Sequence, residues 1–317
     1  MYPLRTLRDR LTLPALMIVV ALATASDAVA QQSRRPYGSA YSSRIDTTFT
    51  FDRDGAVTLT TRSGDIVVNG WSRDQIHIRA TSDDENLRLS ASSSRVNLEV
   101  AGRGDDSRFE ITVPYGVRVT ATSQSGDIGI RGTRGQVEVR SNGGDVDVED
   151  VTTRLDVTSL NGDITARGIT GDIAVSTVSG GARLTDVHGT IDAGTVSGDI
   201  ELRGITAKIV RAKTTSGDVT YDGTIDPAGR YEMATHSGDI RLRVPRDASA
   251  QLTVSTWNGA IDSDFPITLK PGEHGISISR SKRYTFEIGG GGARITADTF
   301  SGDITISSSG RGASNRP

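Results

Sequence analysis

The chain has 317 residues, no cysteine and a formal net charge of −3. Without thiols it has no disulfide staples, no thiolate metal ligand, no cysteine nucleophile and no cysteine-borne lipid. A slightly acidic balance also lacks the basic footprint of a nucleic-acid binder.

Met1 to Ala30 reads as a secretory signal. Arg5, Arg8 and Arg10 precede the apolar run Leu11–Ala25, and Ala28-Val29-Ala30 supplies a small-x-small cleavage site before Gln31. The run is short for a membrane span and contains Pro14. Cleavage would remove three Arg and two Asp, taking the charge from −3 to −4. The rest of the chain is then expected in the periplasm, on the cell surface or outside the cell, with no membrane-spanning segment. Residues 31–43, with Pro36, Gly38 and several Ser, read as a linker.

Strand signals begin at Arg44. The first Ser-Gly-Asp-Ile stands at Ser63–Ile66 and the next 62 residues later, at Ser125–Ile128. Three coils of about 21 residues would fill that gap. Their corners are expected near positions 85 and 105, at Asp83-Asp84-Glu85-Asn86 and Arg103-Gly104-Asp105-Asp106. Residues 44–125 are therefore read as wider, less regular coils of the same stack, with a small separate β-domain as the alternative.

From there the tetrapeptide becomes a rhythm. Glycines stand at Gly126, Gly144, Gly162, Gly180 and Gly198, a spacing of 18, and continue at Gly217, Gly238 and Gly259 with spacings of 19, 21 and 21. A weaker set, Gly135, Thr153, Gly171, Gly189 and Ala207, lies midway, so the unit is nine residues. Within each unit the third position is apolar (Ile128, Val137, Val146, Leu155, Ile164) and so is the fifth (Ile130, Val139, Val148, Val157, Ala166). Branched aliphatics two apart with polar neighbours mark short strands with one buried face. The eighth position, from Val151 through Leu160, Ile169, Val178, Val187, Val196 and Ile205, is expected to turn inward at the corner. Nothing fits a 3.6-residue helical period. A strand of about five residues is too narrow to be stable alone, so copies must stack on one core.

After Gly259 the next copy is Ser301–Ile304; two wider coils would cover the interval, with Ile276, Ile278, Phe286, Ile288 and Ile295 inward. Residues 308–317 read as a polar, disordered tail. The fold expected is all-β: a parallel β-solenoid over 44–307, roughly thirteen coils of 18–21 residues built from nonapeptide half-repeats. At about 4.8 Å per coil it would run about 60 Å.

The recurring Ser-Gly-Asp-Ile, the Phe109–Pro114 segment before Ser125 and the Gly-rich corner Gly289–Gly292 before Ser301 resemble a bacterial family of exported, adhesin-like domains of unknown function. The resemblance covers nearly all of the chain after residue 30. It implies a parallel β-solenoid and brings no catalytic residues. The Asp of the motif is missing at Gly181 and Ala260.

Five sets of residues could carry chemistry. The Asp column, Asp127, Asp145, Asp163, Asp199, Asp218 and Asp239, would place carboxylates about 5 Å apart. Calcium needs six to eight oxygens and these corners offer few, so turn capping is the preferred reading over metal binding. Arg103-Gly104-Asp105 matches a cell-attachment tripeptide, but it stands close to where a corner is due, and the corner is the preferred reading. His77, His188, His236 and His274 lack metal-ligand spacing. Trp71, Trp257, Tyr221 and Tyr231 could stack on sugar rings or pack ordinarily. Arg131, Arg167 and Arg203, with Glu149 and Thr185 between, read as a solvated face. No catalytic residue, cofactor or metal site is assigned.

The function expected is that of a non-enzymatic exported adhesin-like protein or cell-envelope scaffold, with a cell-surface polymer, glycan or envelope protein as partner. The alternative is a polysaccharide-acting lyase or hydrolase, whose outward carboxylates would be Asp147, Glu149 and Glu201. A third reading is a regulatory partner in envelope stress.

Overall fold

Alternating branched aliphatics favour strands because one pleat face can be dry while the other stays wet, and strands are what the chain forms. The computed structural model describes residues 37–42, 44–82, 87–100, 107–266 and 282–309; it is all-β, with no helix among them. Contacts divide the chain after Arg35, and the described residues belong to the unit that follows. The candidate signal at 1–30 lies outside the described residues, as do 83–86, 101–106, 267–281 and 310–317.

The strands pair in two ladders, linked through the long strand Ile200–Ser216, which contributes to both. In the first, Val119 pairs with Val137, Val137 with Leu155, Leu155 with Ile173 and Ile173 with Ile191, all parallel. In the second, Ile128 pairs with Val146, Val146 with Ile164, Ile164 with Ala182 and Ala182 with Ile200, again parallel. The register offset is thus the sequence period, and each rung gives one strand to each ladder. The third- and fifth-position residues point between the ladders. All eighteen from Ile128 to Leu202 are buried, and they form one core with their neighbours.

The rungs widen after Ile200. A register shift between His188 and Thr190 accommodates Ala207 and Lys208. The extra interior space is filled by Tyr221 and Tyr231, both fully buried and edge to face at 5.7 Å. Tyr221 donates its hydroxyl to the Thr224 carbonyl at 2.7 Å, and Tyr231 donates to the Ala207 carbonyl at 2.7 Å. Burial, and next the neighbouring Tyr231, raises the Tyr221 hydroxyl above the ordinary phenol range. These two rings pack the core and are not available to stack on a ligand.

The eighth position does not behave uniformly. Val151, Ile169, Val187 and Ile205 are buried, whereas Leu160, Val178 and Val196 are exposed. The inward residue before the Ser-Gly-Asp corner is one position earlier and polar. Thr61, Ser123, Ser141, Ser159, Thr177, Thr195, Thr214, Thr235, Thr256 and Thr299 form a buried hydroxyl column, each three residues before a corner glycine. With that position turned in, pleat alternation turns the next one out.

Both ends depart from regular winding. The rung Ala56–Ser63/Asp65–Trp71 pairs with Arg118–Ser125/Ile128–Arg131 on one side and with Arg95–Val100/Ser107–Pro114 on the other. The latter rung follows in sequence but is the last parallel rung on that side. Beyond it the pairing is antiparallel: Gln75–Ser82 on Ser107–Pro114, Arg44–Thr50 on Gln75–Ser82, and Leu87–Ala91 on Arg95–Val100. Three successive coils across 63–125 are therefore not what forms. The corners expected near 85 and 105 lie outside the described residues. Residues 37–42, read as linker, form the strand Tyr37–Ser42, antiparallel to Leu87–Ala91.

At the other end, Ala293–Ser301/Ile304–Ser309 inserts between the rung Arg230–Ser237/Ile240–Pro245 and the rung Ala250–Asn258/Ile261–Ser263. Lys282–Ile288 then runs antiparallel along Ala250–Asn258. Two consecutive coils after Gly259 do not form. Phe286, Ile288 and Ile295 are inward as expected, while Ile276 and Ile278 lie outside the described residues. The final strand continues through Ser309, past the boundary expected at 307. The physical reason is the same at both ends: a parallel rung exposes unpaired backbone, and an antiparallel strand covers it.

Candidate functional site

The corner that repeats in the sequence is also where surface features align. Its glycines take positive φ, from +96° to +151° for Gly64, Gly126, Gly144, Gly162, Gly180, Gly198, Gly217, Gly238 and Gly302. Each also lies against the backbone of a neighbouring rung, Gly64 against Ser107 and the others against that rung's corner glycine: a Cβ at Gly198 would sit 2.1 Å from the Gly180 carbonyl oxygen. Only glycine tolerates both conditions.

The aspartate after each glycine reaches across rungs rather than into its own turn. The Asp145 N–H donates to Asp127 Oδ1 at 2.9 Å, Asp163 N–H to Asp145 Oδ1 at 2.9 Å, and Gly181 N–H to Asp163 Oδ1 at 2.7 Å. Farther on, Asp218 N–H donates to Asp199 Oδ1, Asp239 N–H to Asp218 Oδ1, Asp303 N–H to Asp239 Oδ1, and Ala260 N–H to Asp303 Oδ1. The column is a hydrogen-bond ladder in which each carboxylate satisfies the next rung's backbone. Ala260 donates its N–H to Asp303 at the end of this ladder, with no later rung to serve. Gly181 is different. Its N–H donates to Asp163 but it has no carboxylate to accept from the next rung, and among the described residues no group accepts the Asp199 N–H.

A solvent-open cavity of about 520 Å³ lies at this interruption. Asp163, Gly181, Arg183, Asp199, Glu201, Asp218, Thr220 and Arg241 border it. Arg183 donates to Glu201 at 2.7 Å, and Arg203 pairs with the same carboxylate. Arg241 donates to Asp218 at 2.6 Å and to Asp239 at 2.9 Å. The Arg183 hydrogen bond, against the opposing effect of burial, holds Glu201 below the usual carboxylate range. For Asp218 burial pushes upward, but the Asp239 N–H and Arg241 together outweigh it and the net direction is down. Both carboxylates therefore stay ionised at neutral pH.

Beside the aspartates runs the outward column that precedes the corner: Leu160, Val178 and Val196, then Thr215, His236, Phe300 and Trp257 in stack order. His236 and Phe300 stack at 4.8 Å with 9° between planes, and Trp257 stacks on Phe300 at 6.0 Å and 8°. A second, more apolar cleft of about 540 Å³ lies at the widening of the rungs, around Gly189, Ala207, Lys208, Ile209 and Ile225.

The remaining candidates fall elsewhere. Arg103-Gly104-Asp105 and His274 lie outside the described residues. His77 meets Asp46 at 3.0 Å near the first ladder end, far from His188, which is exposed at the bulge. Trp71 donates its indole N–H to the Gln75 carbonyl and lies under the Arg73 guanidinium at 5.1 Å. Arg131 bridges Asp147 and Glu149, and Arg167 also pairs with Glu149. Glu201 is three rungs away from these carboxylates. Among the described residues no group of three or more His, Asp or Glu is placed to hold a metal ion. The hydroxyl column was missed by the sequence reading, although Ser or Thr three residues before every corner glycine was there to be seen.

A family profile, Toastrack DUF4097, matches residues 101–307. The chain belongs to the Toastrack DUF4097 family. Solved structures similar to this Toastrack chain include a putative adhesin from Bacteroides fragilis, 16% identical, covering 83% of this chain and 96% of its own, with a TM-score of 0.43. Two others come from Parabacteroides distasonis. A putative lipid binding protein is 10% identical, covers 84% of this chain and 97% of its own, and has a TM-score of 0.45. A putative adhesin is 9% identical, covers 84% and 98%, and has a TM-score of 0.41. No curated protein matches the chain. Among the described residues no helix is long and apolar enough to cross a membrane.

Proposed function

We propose that this Toastrack chain is a non-enzymatic exported binding protein, adhesin-like or a scaffold of the cell envelope, built as a parallel β-solenoid of nonapeptide half-repeats. On this reading Met1–Ala30 is its export signal, and its partner is a cell-surface polymer, glycan or envelope protein. The observation that carries the reading is the exposed column beside the corner: the apolar run Leu160, Val178 and Val196, then Thr215, then the stacked rings of His236, Phe300 and Trp257. Exposed apolar and aromatic patches with a polar border are the usual mark of an interaction surface, and repeated rungs extend them along the stack. The enzymatic alternative has less support. Asp147 and Glu149 are tied to Arg131, and Glu201 is held between Arg183 and Arg203.

The test is sedimentation of the purified chain, lacking residues 1–30, with envelope fractions of the native host. Retention is expected, and the triple variant Leu160→Ser, Val178→Ser, Val196→Ser should be released. No retention over a control protein, or equal retention of the triple variant, refutes the reading.

A further inference from the structure

The Asp column explains every corner it serves except the one where it stops. Gly181 stands in the middle of the stack, not at its end, and its φ is not in the left-handed region. Nothing in the backbone there requires glycine. A Cβ would lie 3.3 Å from the Asp199 carbonyl oxygen and 3.7 Å from Asp163 Oδ1. The equivalent position on neighbouring rungs carries that Cβ and a carboxylate. Its absence leaves the Asp199 N–H without an acceptor and opens the cavity above Arg183 and Glu201.

We propose that this gap is a binding subsite for an uncharged, hydroxyl-rich ligand, a sugar residue of a neutral polysaccharide; this deepens the binding reading above and rests on it. Three features point that way. The vacancy presents a backbone N–H where every neighbouring rung places an oxygen, so the ligand must offer an acceptor. The border alternates acceptors (Asp163, Glu201, Asp218) with donors (Arg183, Arg241), and a hydroxyl answers both because it donates and accepts. Finally, four carboxylates, those of Asp163, Asp199, Glu201 and Asp218, face two guanidiniums, and both guanidiniums already pair within the site. That balance repels an anionic ligand, and no guanidinium is spare to neutralise one.

The full chain without residues 1–30 is titrated with a soluble β-1,3-glucan, a xylan and a mannan as neutral polysaccharides, and with alginate as the anionic contrast. Affinity electrophoresis and calorimetry provide the readout. At least one neutral polymer should bind, and more tightly than alginate. Gly181→Asp completes the ladder and fills the vacancy, so it should weaken that binding at least tenfold without lowering the melting temperature. Ala260→Asp, at the end of the ladder, should bind as the parent does. If Gly181→Asp fails to fold, Arg241→Ala is held to the same tenfold criterion. The proposal is overturned if no neutral polymer binds, if alginate binds best, if the loss is smaller than tenfold, or if Ala260→Asp shows the same loss. Envelope sedimentation separates the two ideas. A Gly181→Asp variant that still sediments while the parent binds no glycan refutes the subsite and leaves the broader binding reading standing.

Discussion

The middle of the molecule and its two ends are built from the same kinds of residues and obey different rules. From Arg118 to Pro245 the order of rungs follows the order of the chain, pairing is parallel, and the register steps by 18 to 21 residues. At the ends the chain doubles back. The rung 95–114 lies outside 56–71, the rung 293–309 inserts inside 250–263, and antiparallel strands close the stack. The contrast teaches that repetition supplies the interior of such a stack but cannot finish it. An interior rung has its backbone satisfied by copies of itself, whereas a terminal rung needs a strand of another kind.

This comparison can be broken most forcefully at the cap. Phe286 is fully buried on the antiparallel strand Lys282–Ile288. Phe286→Ala should cost about 3–5 kcal/mol and expose the edge beneath, giving concentration-dependent association in light scattering. A merely local loss, with no association, would show that the strand is not needed as a cover.

In the middle, Gly198→Val should cost about 3 kcal/mol by chemical denaturation, because φ is +150° and the new Cβ would meet the Gly180 carbonyl at 2.1 Å. Gly129→Val, within the strand Ile128–Arg131 and with open space around its Cβ, should be nearly neutral. Equal costs would mean that the corner is not the constraint.

A smaller effect of opposite sign is expected at Thr133. It occupies the inward corner position held by Val151, Ile169, Val187 and Ile205 on later rungs, and its buried hydroxyl has no partner. Thr133→Val should raise stability by about 1 kcal/mol, read as a higher denaturant midpoint at unchanged slope.

The smallest effect concerns pH at the inserted rung. Burial, partly offset by Arg283, raises the Asp298 carboxyl above its ordinary 3.8, and Oδ1 has no hydrogen-bond donor. A folded-state value above the unfolded one favours the protonated native form, so this residue's contribution is present below the unfolded value and lost as pH rises through the folded one. Asp298→Asn should therefore stabilise at pH 7 and make little difference at pH 3. Glu201 has the opposite sign: its lowered value contributes stability above the ordinary 4.5, lost as pH falls through the folded value. A thermal-melt series for Glu201→Gln should show its deficit at neutral pH and not in acid.

What the sequence determined by itself is whatever depends on one rung and its copies. The alternating buried positions from Ile128 to Leu202 and the glycine corners follow from pleat alternation and φ. What only the tertiary structure decided involves a neighbour that the local pattern does not name. The exposure of Leu160, Val178 and Val196 depends on a hydroxyl one position earlier being turned inward to bond backbone carbonyls, such as Thr195 to Gly180 O. The target of each aspartate lies on an adjacent rung, and the burial of Tyr221 and Tyr231 follows from the space that wider rungs open. The order of rungs at each end is set by which strand best covers an unpaired edge. That choice is made by backbone hydrogen bonding between segments distant in sequence, and side-chain periodicity carries no record of it.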